Sequence, residues 1–210
     1  MARTGALFAL GLVLPALAVA SPPQTAEEAV AAVEAKYAGV DVMSAQFTQT
    51  VHNPLFGDDV QSGEVVLARP TKMRWTFGEG EREFVTDGST MWVYSRADNQ
   101  VIQYAGFTPS AGGAESLLSS LDTLDEVFDV QLVSSTPTVL TLTPHDQGMF
   151  KQVRLTLDAE LVVDEVVITD LQDNTTELDF ADMQLNTPAP DSLFAFEAPE
   201  GATVIDAGTM

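Results

Sequence analysis

The side chains in this sequence most suited to chemistry are two histidines, His52 and His145, and a run of carboxylates, Asp122, Asp125, Glu126 and Asp129. Neither histidine has a carboxylate or a second histidine at ligand-like spacing. The chain has no cysteine, so a transition-metal site is not expected and both histidines read as surface residues. The four carboxylates share one side of a helical segment. Their charge suits calcium, but the glycine-turned loop of alternating oxygens is missing, so they read as a solvated face. Asp58-Asp59 and Glu79-Gly80-Glu81 read as charged loop tips. No nucleophile elbow, phosphate loop or dinucleotide fingerprint occurs, and no pair of carboxylates has a context that would drive their pKa values apart. Nothing here marks an enzyme, and no cofactor or metal is expected.

Binding chemistry concentrates instead between Gly63 and Tyr94, GEVVLARPTKMRWTFGEGEREFVTDGSTMWVY. Both tryptophans, Trp75 and Trp92, lie in this stretch. Of nine basic residues, Arg69, Lys72, Arg74 and Arg82 lie in it and Arg96 falls just beyond. Arg-Pro at 69–70, Gly-Glu-Gly at 78–80 and Asp-Gly at 87–88 divide it into four short strands. Met73, Trp75 and Phe77 alternate with Lys72, Arg74 and Thr76, and Trp92 and Tyr94 alternate with Met91 and Val93. Such aromatics fill an ordinary core, or they line a cavity that accepts a hydrocarbon ligand; periodicity alone does not choose. Arg69 cannot lose its charge. At a strand end, it is suited either to bonding the carbonyls of a neighbouring helix end or to facing solvent.

The remaining elements frame this stretch. Residues 1–20 carry Arg3, an apolar run from Leu7 to Leu17 and Ala18-Val19-Ala20, the pattern of a cleaved secretory signal peptide. Residues 21–210 are then expected to form one soluble domain, held by its apolar core without disulfides. Ser21 stands where a lipid-anchored bacterial protein would need cysteine. A net charge of −22 and a pI near 4.1 argue against nucleic acid or an anionic membrane as partner. Thr25 and Glu28 form a capping-box pattern ahead of a helix to about Val40, whose apolar stripe is Ala29, Val30, Val33 and Tyr37. Met43 to Val51 alternates as a strand, and Asp98-Asn99 is a hairpin turn. Pro109 to Gly113 leads into two short helices, one carrying Leu117, Leu118 and Leu121, the other running from Leu121 to Phe128. Strands are expected again at 130–133, 139–143, 150–157, 161–169, 176–180 and, briefly, 194–196. Connections this short specify an antiparallel up-and-down sheet, and roughly ten strands in one sheet curl. Its concave face is where the helices bury their stripes.

The segments GEVVLARPTKMRW and VTDGSTMWVY, and near the end FAFEAPEGATVID, resemble the periplasmic outer-membrane lipoprotein carrier family of LolA type. The Phe-x-Phe-x-x-Pro-x-Gly ending falls on Phe194, Phe196, Pro199 and Gly201. The resemblance implies a mainly β fold: a curved antiparallel half-open barrel of about eleven strands, with an N-terminal helix and a central helical lid over an apolar cavity. It implies a lining of Phe47, Leu67, Met73, Trp75 and Trp92 from the sheet and Leu117, Leu118 and Leu121 from the lid. Arg69 matches the family's lid latch, expected to bond lid-helix backbone when the cavity is empty. The implied partners are acylated lipoproteins as cargo, an inner-membrane ABC transporter that releases them, and an outer-membrane receptor of similar fold. The protein itself would be a periplasmic monomer without stable membrane insertion. Exposing one ~15-methylene acyl chain to water costs about 12 kcal/mol at roughly 0.8 kcal/mol per CH₂, hence the need for a carrier. A half-barrel that binds or senses lipid without shuttling cargo is the alternative, and a periplasmic hydrolase a weaker third.

Overall fold

A computed structural model of the chain describes residues 21–53, 57–107, 114–145 and 150–209. The expected signal peptide and the Ser110–Gly113 lead-in lie outside them. Helix α1, Ala26–Tyr37, starts as its capping box dictates: the Thr25 hydroxyl accepts from the Glu28 N–H at 3.2 Å. The Glu28 carboxylate reaches back one residue further than the motif requires, accepting from the Gln24 N–H at 2.7 Å. The four stripe residues are all buried. Tyr37 fixes the helix to the sheet, its hydroxyl accepting from the Val163 N–H at 3.1 Å. Burial pushes that hydroxyl up to about 12.

Twelve strands form one sheet: β1 Val42–Asn53, β2 Gly57–Ala68, β3 Lys72–Phe77, β4 Arg82–Thr86, β5 Thr90–Ser95, β6 Gln100–Ala105, β7 Phe128–Ser135, β8 Thr138–Pro144, β9 Phe150–Leu157, β10 Val163–Asp170, β11 Thr175–Leu185 and β12 Thr203–Thr209. Their order is β12-β6-β5-β4-β3-β2-β1-β11-β10-β9-β8-β7, so the sheet ends in two edges and does not close. All pairings are antiparallel except β12 on β6. Glycines take left-handed backbone where the expected turns fall, with φ of +58° at Gly78, +78° at Gly80 and +98° at Gly88.

Three expectations need correction. Residues 194–196 are not a strand. A 3₁₀ turn, Asp191–Phe194, is followed by an extended strap, and the chain then adds β12 alongside β6. The second short helix is only Leu124–Val127 (α3), because Phe128 already opens β7. Strand β2 begins well before Gly63 and pairs with β1 along its whole length.

The core lies on the face covered by α1, by α2 (Ala114–Ser119) and by α3. Leu117, Leu118, Leu121 and Leu124 from the helical segment are buried in one cluster with Val33 and Tyr37 of α1 and with the sheet aromatics. The opposite face carries the strap. Phe194 is buried, and the Phe196 ring lies 6.1 Å from each of the Trp92 and Tyr94 rings, stacked on Trp92.

Candidate functional site

Strand register decides which of the expected residues meet. Phe47 lies opposite Gly63, Gly63 opposite Phe77, Leu67 opposite Met73, and Val65 opposite Trp75. Cross-strand partners point to the same face, so Phe47, Leu67, Met73 and Trp75 converge under the helices, each at most 7% exposed. Phe47 meets Trp75 and Phe77 edge-on, with ring centroids 4.9 and 5.0 Å apart. Leu117, Leu118 and Leu121 close over the same cluster. Seven of the eight expected lining residues therefore form one contiguous apolar body between sheet and helices.

Trp92 is the exception. It pairs with Val85, and Val85 with Arg74, so it faces away from Met73 and Trp75. Its ring stacks on Phe196, and its indole N–H donates to Gln103 at 3.3 Å. Its alternation with Met91 and Val93 is visible in the sequence, but the phase of β5 relative to β3 is set by the turns on either side of β4. A signal was present in Phe196 of the strap, whose ring finds its aromatic partners in Trp92 and Tyr94.

The scarce cations are mostly fasteners. On the strap face, Lys72 pairs with Asp191 at 2.7 Å, Arg74 donates to the Leu193 carbonyl at 3.0 Å and pairs with Glu83. Arg82 lies over the Phe77 ring, 4.3 Å from its centroid, and donates to Gln61. Arg96 reaches the Glu79 carbonyl at 3.4 Å.

Arg69 is different, because its partner belongs to the helical cover. It follows β2 directly and forms an ion pair with Asp122, in the link between α2 and α3. Neither expected partner, backbone carbonyl or solvent, is what it meets. Both side chains are largely shielded, 20% and 25% exposed, so this pair is less screened than a surface pair. Arg69 also keeps Nε and Nη2 buried without an acceptor among the described residues. Asp122 thereby leaves the solvated set, while Asp125, Glu126 and Asp129 remain exposed. His145 is exposed; half-exposed His52 bonds to Asp58 at 3.0 Å, and that bond raises its pKa above the ordinary value.

On the strap side of β1, β2 and β11, a cleft of about 460 Å³ is lined by polar alternates including Gln46, Thr48, Ser62, Glu64 and Asp179. It is chemically unlike the apolar body on the other face. Among the described residues no helix is long and apolar enough to cross a membrane.

An unclosed curved sheet, with short helices sealed over an apolar face and one shielded ion pair joining sheet to cover, defines a half-barrel with a helical lid. Residues 38–197 match the family described as outer membrane lipoprotein carrier protein LolA, and the chain belongs to that family. An outer-membrane lipoprotein carrier protein of Alkalilimnicola ehrlichii is 30% identical over 96% of this chain and 95% of its own. One of Chromobacterium violaceum is 28% identical over 96% and 95%. Among solved structures, an uncharacterized conserved protein from Thermus thermophilus shares the fold, with a TM-score of 0.54 at 16% identity over 86% of this chain and 98% of that one.

Proposed function

We infer that this protein carries lipoproteins through the periplasm by holding their acyl chains between the lid leucines and the aromatic face of the sheet. In this reading residues 1–20 are removed on export and residues 21–210 act as one domain. An inner-membrane ABC transporter loads the carrier, and an outer-membrane receptor of similar fold unloads it. The observation that carries the reading is the Arg69–Asp122 pair, which fastens the lid to the sheet over a continuous apolar cluster.

The energies make this arrangement workable. Lifting Leu117, Leu118, Leu121 and Leu124 into water costs on the order of 6–12 kcal/mol, at about 1.5–3 kcal/mol per leucine. Covering one ~15-methylene acyl chain recovers about 12 kcal/mol. Uptake therefore sits near balance, and the latch decides its direction. The ion pair favours the empty, closed state, so it opposes loading and promotes release. The buried Nε and Nη2 of Arg69, without an acceptor among the described residues, temper the latch, because opening gives them water.

The test incubates the purified protein with inner-membrane vesicles that hold an acylated lipoprotein, its transporter and ATP. A soluble complex with intact acyl chains is the expected result; its absence, under conditions that release cargo to an established carrier, would sink the reading. Arg69→Leu is expected to form that complex but to pass cargo to receptor-bearing outer-membrane vesicles several-fold more slowly. Transfer at the wild-type rate would remove the latch from the mechanism.

A further inference from the structure

The lid is tied down at a second place. Glu34, in the third turn of α1, accepts a hydrogen bond from the backbone N–H of Asp125 at 3.2 Å. Asp125 is the second residue of α3, so its N–H is one of the donors a helix leaves without an internal partner. Three residues earlier, Asp122 is held by Arg69. The same short segment is thus gripped from the sheet on one side and from α1 on the other. The second grip has opposed parts. Glu34 is half-buried, and burial together with the neighbouring Asp125 charge pushes its carboxyl above the usual range, against the pull of the Asp125 N–H.

We propose that Glu34 is a positioning residue for acyl-chain entry: its oxygen holds α3 against α1 in the closed state, while its charge beside Asp125 keeps that hold easy to release. The entry role rests on the carrier reading above; the tie itself does not. Release at Glu34 would free the α3 end of the lid from α1 while Arg69 still held Asp122, so the two ties act on different edges of the cover.

Two substitutions separate the parts. Glu34→Gln keeps an oxygen able to accept the Asp125 N–H and removes the burial cost of the charge together with the repulsion, so it should hold the lid at least as firmly. Glu34→Ala removes the acceptor and should loosen it. A plain loss of packing would not send the two variants in opposite directions. Amide hydrogen exchange at Asp125 reads the tie, and binding of dansyl-undecanoic acid reads entry.

Glu34→Ala is expected to exchange about ten-fold faster at Asp125, as loss of one hydrogen bond implies, and to bind the probe several-fold more tightly. Glu34→Gln is expected to exchange no faster than wild type and to bind no more tightly. A wild-type exchange rate in Glu34→Ala, or acceleration in both variants, would overturn the tie. If Glu34→Ala failed to fold, the near-isosteric Glu34→Gln would still decide, since faster exchange or tighter binding there contradicts the proposal. If no variant bound the probe, wild type included, the carrier reading and the entry role would both fall, while the exchange rates would still decide the tie.

Discussion

Arg69 and Tyr37 show how differently two buried polar groups hold parts of one lid. Arg69 gives an Nη1 N–H to Asp122, while its buried Nε and Nη2 have no acceptor among the described residues. A buried donor left without an acceptor costs on the order of 1–3 kcal/mol, which offsets part of what the pair contributes to the closed state. Tyr37 is instead a permanent fastening. Its ring is fully buried, and its hydroxyl receives the N–H of the first residue of β10. Tyr37→Phe keeps the ring and removes the acceptor, and should cost roughly 1–3 kcal/mol of stability by leaving the buried Val163 N–H without it. Urea denaturation measures this, and an unchanged midpoint would mean the hydroxyl contributes nothing to the α1–sheet contact. Tyr37 was legible as an apolar-stripe position, but its bond to Val163 spans 126 residues and leaves no local trace. Asp122 was misread for the same reason. One carboxylate among four on a helical segment looks solvated until the arginine 53 positions away is placed beside it.

The elements that cover the site are too short to stand alone. α2 has six residues and α3 four, well below the ~12–15 an isolated helix needs in water. They are held by their leucines, so opening the lid and loosening its helices are one event. The sheet beneath is rigid by comparison, and Gly63 shows how closely it is fitted. A Cβ at Gly63 would lie 2.0 Å from the Thr76 carbonyl oxygen and 3.0 Å from the Phe47 ring. Gly63→Ala must therefore shift backbone, and we expect a loss of about 1–3 kcal/mol or more, as overpacking costs. Thermal melting checks this; a wild-type melting temperature would show that β2 and β3 separate more easily than their register implies. β3, β4 and β5 were legible because turn residues bound each one, whereas β2, which runs from Gly57 along β1, was read only from Gly63. β12 was not, because Thr203–Thr209 has neither clean alternation nor a hairpin partner and pairs in parallel with a strand a hundred residues earlier. Trp92 was placed on the wrong face because alternation fixes the phase within a strand and says nothing of the phase between strands.

At the scale of the molecule, charge and connectivity divide the work. The chain carries 31 acidic and nine basic residues, and the basic residues at 69, 72, 74, 82, 96 and 151 are all engaged in bonds within the fold. The surface is left strongly acidic. Glu165, Glu177 and Asp179, on neighbouring strands, bring carboxylate oxygens within 4.8 Å of one another, and burial with these like charges raises the Asp179 pKa. Net repulsion of this kind opposes the compact state, and salt reduces it as the Debye length falls from about 30 Å at 0.01 M to about 8 Å at 0.15 M. The shielded Arg69–Asp122 pair is screened far less than the surface. Raising NaCl across that range is therefore expected to raise the melting temperature by about 2–8 °C, if screening recovers ~1–2 kcal/mol in a domain of this size. Calorimetry at both salt concentrations decides the matter. A melting temperature that fell with salt would mean that the internal ion pairs outweigh the surface repulsion, and that the acidity is balanced within the fold rather than borne by solvent.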